Sequence, residues 1–212
     1  MEIDALVFDI LGTLVDEPAG IRAAIRQAAP DAEADELVEL WQGHVETEQR
    51  RIVEGERPYA PSDVLDREAA QVTTKMDVVP KLAPWPDAVE GLARLAENHR
   101  LIGLSNAGRT SLLRINAHAG LRWHLALSAE EAQTYKPDPA VYELAVGASG
   151  APPERLLMVA THAWDLRGAQ SVGLRTAYVA RPVGDPPVAT DRFDFYAEDL
   201  ADLAVQLAKQ RM

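Results

Sequence analysis

The sequence predicts an α/β fold, a doubly wound parallel sheet with an inserted α-helical block. Three observations predict it. The first strand candidate, Ile3–Asp9, is apolar through Ala5, Leu6, Val7 and Phe8, as suits a strand buried on both faces. From Pro86 onward, strand and helix patterns alternate with short connections, the signature of parallel crossover units. Between these two regions the stretch from Glu17 to Asp77 shows helical spacing throughout.

The elements follow in order. Gly12 and Thr13 break the pattern after the first strand. Ile21 and Ile25 sit four apart, and Leu37, Leu40, Trp41, Val45 and Ile52 recur on one side of a long helix. Gly55, Pro58 and Pro61 end it, and Ser62 is placed to cap the next helix. Pro80, Pro84 and Pro86 mark the return, with Trp85 packing the hinge. Helix 87–98, strand Arg100–Ser105, helix 109–119 and strand Leu125–Ser128 come next. Helix 139–148, strand Leu156–Ala160, helix 165–172, strand Arg175–Val179 and helix Leu200–Lys209 complete the chain. The Pro-rich stretch Arg181–Pro187 reads as a surface loop, and the acidic run Asp31–Glu39 as solvated helix surface.

Composition narrows the function classes. The chain has 212 residues, 47% hydrophobic and 25% charged, which excludes a disordered or low-complexity protein. That length fits a core domain at 1–15 and 80–212 with a helical cap at 16–79. Lys plus Arg number 21 against 33 Asp plus Glu, a formal net charge of −12, which argues against nucleic acid as a partner. The absence of cysteine excludes disulfides, thiolate metal sites and a cysteine nucleophile, and suits a cytoplasmic protein. The opening MEIDALVFDI has no basic n-region, so it does not read as a signal peptide. No apolar run reaches the ~18 residues that span a bilayer, so no membrane is expected as a partner.

In a doubly wound sheet a ligand binds beyond the carboxyl ends of the strands. The residues there are Asp9, Ser105–Asn106, Lys136 and Thr161–Asp165. A carboxylate at the exit of a buried strand must be paired or solvated. Asp9 alone reads as a cap that bonds to Thr13. Lys136, stiffened by prolines in Tyr-Lys-Pro-Asp-Pro, changes that reading. An ammonium converging on Asp9 would keep the carboxylate charged, and a charged, partly desolvated carboxylate can act as a nucleophile. Ser105 and Asn106 offer a hydroxyl and an amide that could hold a substrate anion or fix the nucleophile's rotamer. The helical block leaves from the end of the first strand and can cover this site as a lid. Tyr135 reads as a surface residue beside the lysine.

Together these segments form a pattern. Phe8-Asp9-Ile10-Leu11-Gly12-Thr13-Leu14, Leu104-Ser105-Asn106, Lys136-Pro137-Asp138-Pro139 and Ala160-Thr161-His162-Ala163-Trp164-Asp165 resemble the four motifs of the haloacid dehalogenase (HAD) superfamily. Within it, Val-Tyr-Glu-Leu-Ala at 141–145, Ala-Trp-Asp at 163–165 and Ala119-Gly120-Leu121 resemble the L-2-haloacid dehalogenases. The resemblance implies a Rossmann-like HAD core with a helical cap and a hydrolase with Asp9 as nucleophile. Thr13, Ser105 and Lys136 would orient Asp9, and Asp165 with Lys136 would orient the hydrolytic water. Ser105 and Asn106 would hold the substrate, Tyr142 would support the site, and Trp164 would either wall the pocket or serve as core.

Two positions separate the chain from the superfamily's phosphatases. Leu11 stands where they carry a general-acid aspartate, and Thr161 where they carry a metal-binding one. A hydroxyl in place of a carboxylate weakens a Mg²⁺ site, and a halide leaves as a stable anion without a proton. No cofactor and no metal are therefore expected; Mg²⁺ enters only under the alternative of a HAD-like phosphatase. A second alternative is a HAD protein that binds a small anion without turnover. The implied partner is a small anionic substrate, and the resemblance adds a homodimer. The chain departs from the dehalogenase pattern at two places. Ala160-Thr161-His162 replaces Ser-Ser-Asn, so His162 either places water or serves as a hydrogen-bonding histidine at a strand end. Gln42, after Trp41, occupies the place of the arginine that receives the halide; a neutral amide stabilises an anion less than a guanidinium does. Arg50 and Arg51, two or three turns along, read as solvated helix face.

Overall fold

The computed structural model describes residues 2–75 and 78–210. Positions 1, 76–77 and 211–212, which the expected domain boundaries include, lie outside the described residues. The first strand, β1 (Ala5–Phe8), is followed by α1 (Glu17–Ala28), α2 (Ala34–Val53) and α3 (Ser62–Thr73). Then come α4 (Ala88–Ala96), β2 (Arg100–Ser105), α5 (Arg109–Ala119), β3 (Leu125–Ser128) and α6 (Pro139–Ser149). The order closes with β4 (Leu156–Ala160), α7 (Ala163–Ser171), β5 (Arg175–Val179), β6 (Phe195–Ala197) and α8 (Leu200–Gln210). Two 3-10 turns, Ala129–Ala132 and Pro153–Arg155, precede the Lys136 loop and β4.

The strands form one parallel sheet in the order β3-β2-β1-β4-β5-β6. The central strand has Val7 beside Ile102 on one side and Met158 on the other. Alternate side chains of β1 enter opposite cores, as the strand's period of two requires. Leu6 and Phe8 pack with Leu92 and Leu95 of α4 and Leu200, Leu203 and Leu207 of α8. Ala5 and Val7 pack with Val141 and Tyr142 of α6 and Leu166 of α7. Covering both faces is what permits the unbroken apolar run in β1.

A third apolar cluster lies among the inserted helices: Ile21 and Ile25 of α1, Val38 and Trp41 of α2, and Ala69 and Ala70 of α3. The chain leaves and re-enters the sheet through one seam. Asp16 N–H donates to the Ala83 carbonyl at 2.9 Å and Trp85 N–H to the Leu14 carbonyl at 2.9 Å. The Trp85 indole N–H adds a 2.7 Å bond to the Gly12 carbonyl, which fastens the hinge as the sequence suggested.

Several details differ from the sequence reading. Ser62 is the first residue of α3 rather than its cap, with Pro61 in the cap position. Its hydroxyl instead accepts the Gly108 N–H at 2.7 Å, tying α3 to the start of α5. Leu40 is 49% exposed, because α2 turns Val38 and Trp41 inward. Helix α7 starts two residues earlier than the pattern placed it, and β6 was not anticipated; its three residues are too few to show an alternation. Tyr135 is fully buried, its hydroxyl donating to the Ala60 carbonyl at 2.6 Å. The Arg181–Pro187 segment is a surface loop, as expected, and is fastened at its first residue. The Arg181 guanidinium pairs with both Asp87 carboxylate oxygens, at 2.8 and 3.1 Å, and its Nε donates to the Thr13 carbonyl at 2.9 Å.

Candidate active site

The carboxyl ends of β1, β2 and β4 and the loop before α6 bring four motif segments together. Asp9 follows β1 directly, its N–H paired to the Val159 carbonyl at 3.0 Å, so the ladder itself aims the side chain. Gly12 then takes φ +76, a left-handed turn that a residue with a Cβ resists. That turn brings Thr13 back, and its hydroxyl donates to Asp9 Oδ2 at 2.6 Å. Thr13 is itself held, accepting the Thr161 N–H at 3.0 Å.

Lys136 completes the group. Its Nζ donates to Asp9 Oδ1 at 3.0 Å and to Asp165 Oδ2 at 2.8 Å. The lysine side chain is 1% exposed, Asp165 0% and Asp9 9%, so only Asp9 faces the outside. Burial alone would lower the Lys136 ammonium, but Asp165 and Asp9 outweigh it and hold the group above its ordinary value. Asp165 goes the other way: burial, helped by repulsion from Asp9, lifts its carboxyl above the ordinary range against the pull of Lys136 and Tyr142. The Tyr142 hydroxyl donates to Asp165 Oδ1 at 2.7 Å. Burial and the adjoining carboxylate push that phenol far up, so it stays a donor. Tyr142 is fully buried behind Asp165 and reaches the site through that carboxylate.

The remaining candidates are arranged around this group. Ser105 is buried, and its hydroxyl oxygen accepts the Ala107 N–H at 3.1 Å. Asn106 accepts the Lys136 N–H at 2.9 Å and donates to Gln49 of α2 at 3.1 Å, so it fixes the lysine's backbone and contacts the inserted helices. Leu11 is part-buried and offers its carbonyl to His162 Nε2 at 3.2 Å. His162 also touches the Trp164 ring, centroids 5.7 Å apart, and both are part-buried. Thr161 turns its hydroxyl away, donating to the Val183 carbonyl at 3.3 Å. Among the described residues no group of three or more His, Asp or Glu side chains is placed to hold a metal ion.

Gln42 is part-buried on α2, near Glu17 of α1. The cations of the inserted helices are engaged elsewhere or exposed. Arg22 pairs with Asp35, Arg51 with Glu48, Arg57 with Glu48 and Glu68, Arg67 with Asp63, and His44 lies by Glu68. Arg26, Arg50 and Lys75 are exposed. Among the described residues, then, the ammonium of Lys136 is the cation paired with Asp9, and Arg50 and Arg51 are the surface groups the sequence suggested.

With this geometry in view, the comparisons with known proteins are decisive about kinship. The sequence profile of the haloacid dehalogenase-like hydrolases matches residues 3–173. The chain belongs to the haloacid dehalogenase-like hydrolase family. It is 29% identical to the (S)-2-haloacid dehalogenase 4A of Burkholderia cepacia, over 86% of this chain and 85% of that one. It is 31% identical to the (S)-2-haloacid dehalogenase of Xanthobacter autotrophicus, over 84% of this chain and 76% of that one. The solved L-2-haloacid dehalogenase PA0810 superposes with a TM-score of 0.88 at 30% identity, covering 98% of this chain and 99% of that one. A structure described as a predicted phosphoglycolate phosphatase shares the fold at a TM-score of 0.71 and 20% identity. Helices α1–α3 occupy the insertion of this HAD fold, and no helix among the described residues is long and apolar enough to cross a membrane.

Proposed function

We propose that this HAD-family hydrolase cleaves the carbon–halogen bond of a small 2-haloalkanoate, with Asp9 as nucleophile and α1–α3 as a cap over the site. The observation that carries the reading is the Asp9–Thr13–Lys136 arrangement with Leu11 two residues on. The site has a positioned carboxylate nucleophile and an apolar side chain where a phosphatase needs a proton donor.

The chemistry follows from the contacts. Thr13 and Lys136 each hold one Asp9 oxygen and limit its rotation, so one oxygen can be presented in line to C2 of the substrate. That oxygen forms the C–O bond as the C–X pair departs with the halide. Water then attacks the carbonyl carbon of the aspartyl ester, and cleavage returns the Asp9 carboxylate and a 2-hydroxy acid. In the second step negative charge develops on the aspartyl carbonyl oxygen, where the Lys136 ammonium, bonded to Asp9 Oδ1, can stabilise it. Asp165 holds Lys136 and, through Tyr142, is itself held, so the ammonium keeps one orientation. No step needs a metal.

Halide release from L-2-chloropropionate and monochloroacetate tests the reading. Release is expected from the native chain and none above background from Asp9→Asn; equal rates for the two, or none from either, would sink it.

A further inference from the structure

The turn that follows Asp9 is held at three consecutive carbonyls by side chains from three remote segments. The Leu11 carbonyl oxygen lies 3.2 Å from His162 Nε2, at the junction of β4 and α7. A carbonyl oxygen only accepts, so this contact places the imidazole proton on Nε2. The Gly12 carbonyl accepts the Trp85 indole N–H at 2.7 Å. The Thr13 carbonyl accepts the Arg181 Nε–H at 2.9 Å. These donors stand 151, 73 and 168 positions along the chain from the carbonyls they hold. Gly12 and Thr13 are buried, so the bonds to them are sheltered from water.

Two of the donors are themselves fixed. The Arg181 side chain is 6% exposed, and its guanidinium is bidentate on Asp87. Asp87 Oδ2 also accepts the Leu200 N–H at 2.9 Å, so the carboxylate cannot follow a moving arginine. The guanidinium carbon lies 5.9 Å from the centre of the Trp85 ring, within reach of a cation–π contact. Trp85 N–H is bonded to the Leu14 carbonyl at 2.9 Å, which anchors the indole at the seam where the inserted helices return. The turn requires such a frame. Glycine has the freest backbone of any residue, and a turn built on Gly12 at φ +76 would let Thr13 drift if its carbonyls were released. The Thr13 hydroxyl is the group that holds Asp9 Oδ2, at 2.6 Å.

We infer that Trp85, Arg181 and His162 are positioning residues of the nucleophile. By gripping the Leu11, Gly12 and Thr13 carbonyls they seat the Thr13 hydroxyl on Asp9 and so fix the line along which Asp9 attacks. This role rests on the dehalogenase reading for its effect on rate, and on the hydrogen bonds of the turn for its effect on Thr13. The three side chains act through Thr13 rather than on the reacting atoms. Trp85 matters most, because one residue fastens both the return of the inserted helices and the turn that aims Asp9. A misplacement of about 1 Å can cost ~100-fold in rate. Loss of one of three grips should therefore cost about 10- to 100-fold, with substrate binding little changed.

Trp85→Phe removes the indole donor and keeps an aromatic ring. Three-bond couplings from the Thr13 methyl carbon to its backbone N and C′ report the Thr13 rotamer by NMR without any turnover. They should show one rotamer in the native chain and an average of rotamers in Trp85→Phe. In halide release from L-2-chloropropionate, kcat should fall about 10- to 100-fold while KM stays within about threefold. In a Thr13→Val background, Trp85→Phe should cause no further loss, because the indole acts through that hydroxyl. Benzothienylalanine at position 85, with sulfur in place of the N–H and nearly the same shape, should behave as Trp85→Phe does, which separates the lost bond from lost packing. A single Thr13 rotamer retained in Trp85→Phe, a kcat within about threefold of native, a full loss that persists in Thr13→Val, or native behaviour of the benzothienylalanine chain overturns the inference. Rotamer averaging in the variant, with no halide release from the native chain, rejects the dehalogenase reading while retaining the positioning role.

Discussion

Replacing Lys136 by methionine tests the centre of the site most directly. Methionine fills much of the lysine stem's volume, so the change removes charge more than packing. What remains is a 0%-exposed Asp165 and a 9%-exposed Asp9 with no cation between them. The two lost bonds, 3.0 and 2.8 Å, are charge-assisted, each worth about 1.5–3 kcal/mol. Removing one partner of a buried ion pair costs about 3–5 kcal/mol, and about 4 kcal/mol is expected here at pH 8. The pH dependence has a definite sign. The Asp165 carboxyl is already raised by burial and by Asp9, and losing Lys136 raises it further. A group raised in the folded state loses stability as pH climbs from its unfolded value, about 4, toward its folded one. The deficit must therefore be larger at pH 8 than at pH 5. In the native chain Lys136 itself is raised, so its stabilisation is complete below about pH 10 and is lost only above it. Urea unfolding followed by circular dichroism at pH 5 and pH 8 reads both values. Halide release should fall at least about a hundredfold, as for removal of one preorganised electrostatic partner. A deficit below about 1 kcal/mol at pH 8, the range of an exposed pair, or one that grows on acidification, would refute the reasoning.

Other perturbations follow from the same contacts. Tyr142→Phe removes the 2.7 Å donor to Asp165 and leaves a buried carboxylate oxygen unpaired; a loss of about 1–3 kcal/mol by chemical denaturation is expected, with slowed halide release. Gly12→Ala places a Cβ 2.7 Å from His162 Nε2 at φ +76, so a loss of at least about 1 kcal/mol should appear together with displaced His162 resonances in NMR spectra. Arg181→Met breaks the bidentate pair to Asp87 and the bond to the Thr13 carbonyl, costing about 2 kcal/mol or more. Burial alone would raise the Asp87 carboxyl, but Arg181 and the Leu200 N–H hold it below the ordinary range. That stabilisation is present above about pH 4 and lost as pH falls through the folded value, so the variant's acid-unfolding midpoint should move upward.

Much of this arrangement was legible in the chain. The apolar run of β1 and the β/α alternation after Pro86 are local patterns with fixed periods, and five strands fall where those patterns placed them. Asp9, Thr13, Lys136 and Asp165 were legible because each lies in a motif at a strand end or a proline-stiffened loop. Other features left no local trace. β6 has three residues, and the fastening of the Arg181–Pro187 loop depends on Asp87, almost a hundred positions away. Glu17 reads as an ordinary first-turn acid of a helix, a place where a carboxylate is favoured. Nothing in its neighbours reveals the acids of α2 and α3, Glu46 and Asp66, that help to raise its carboxyl.

The sequence by itself determined the sheet, the inserted helices and which polar side chains stand at the carboxyl edge, because strand period, helix period and turn chemistry act over a few residues. The tertiary structure decided the charge states and partners. Lys136 binds two carboxylates 127 and 29 residues away, Asn106 reaches α2, and Glu17 lies within the influence of Glu46 and Asp66. Desolvation and Coulomb energies depend on distance in space and on the exclusion of water, and neither is written in the order of the residues.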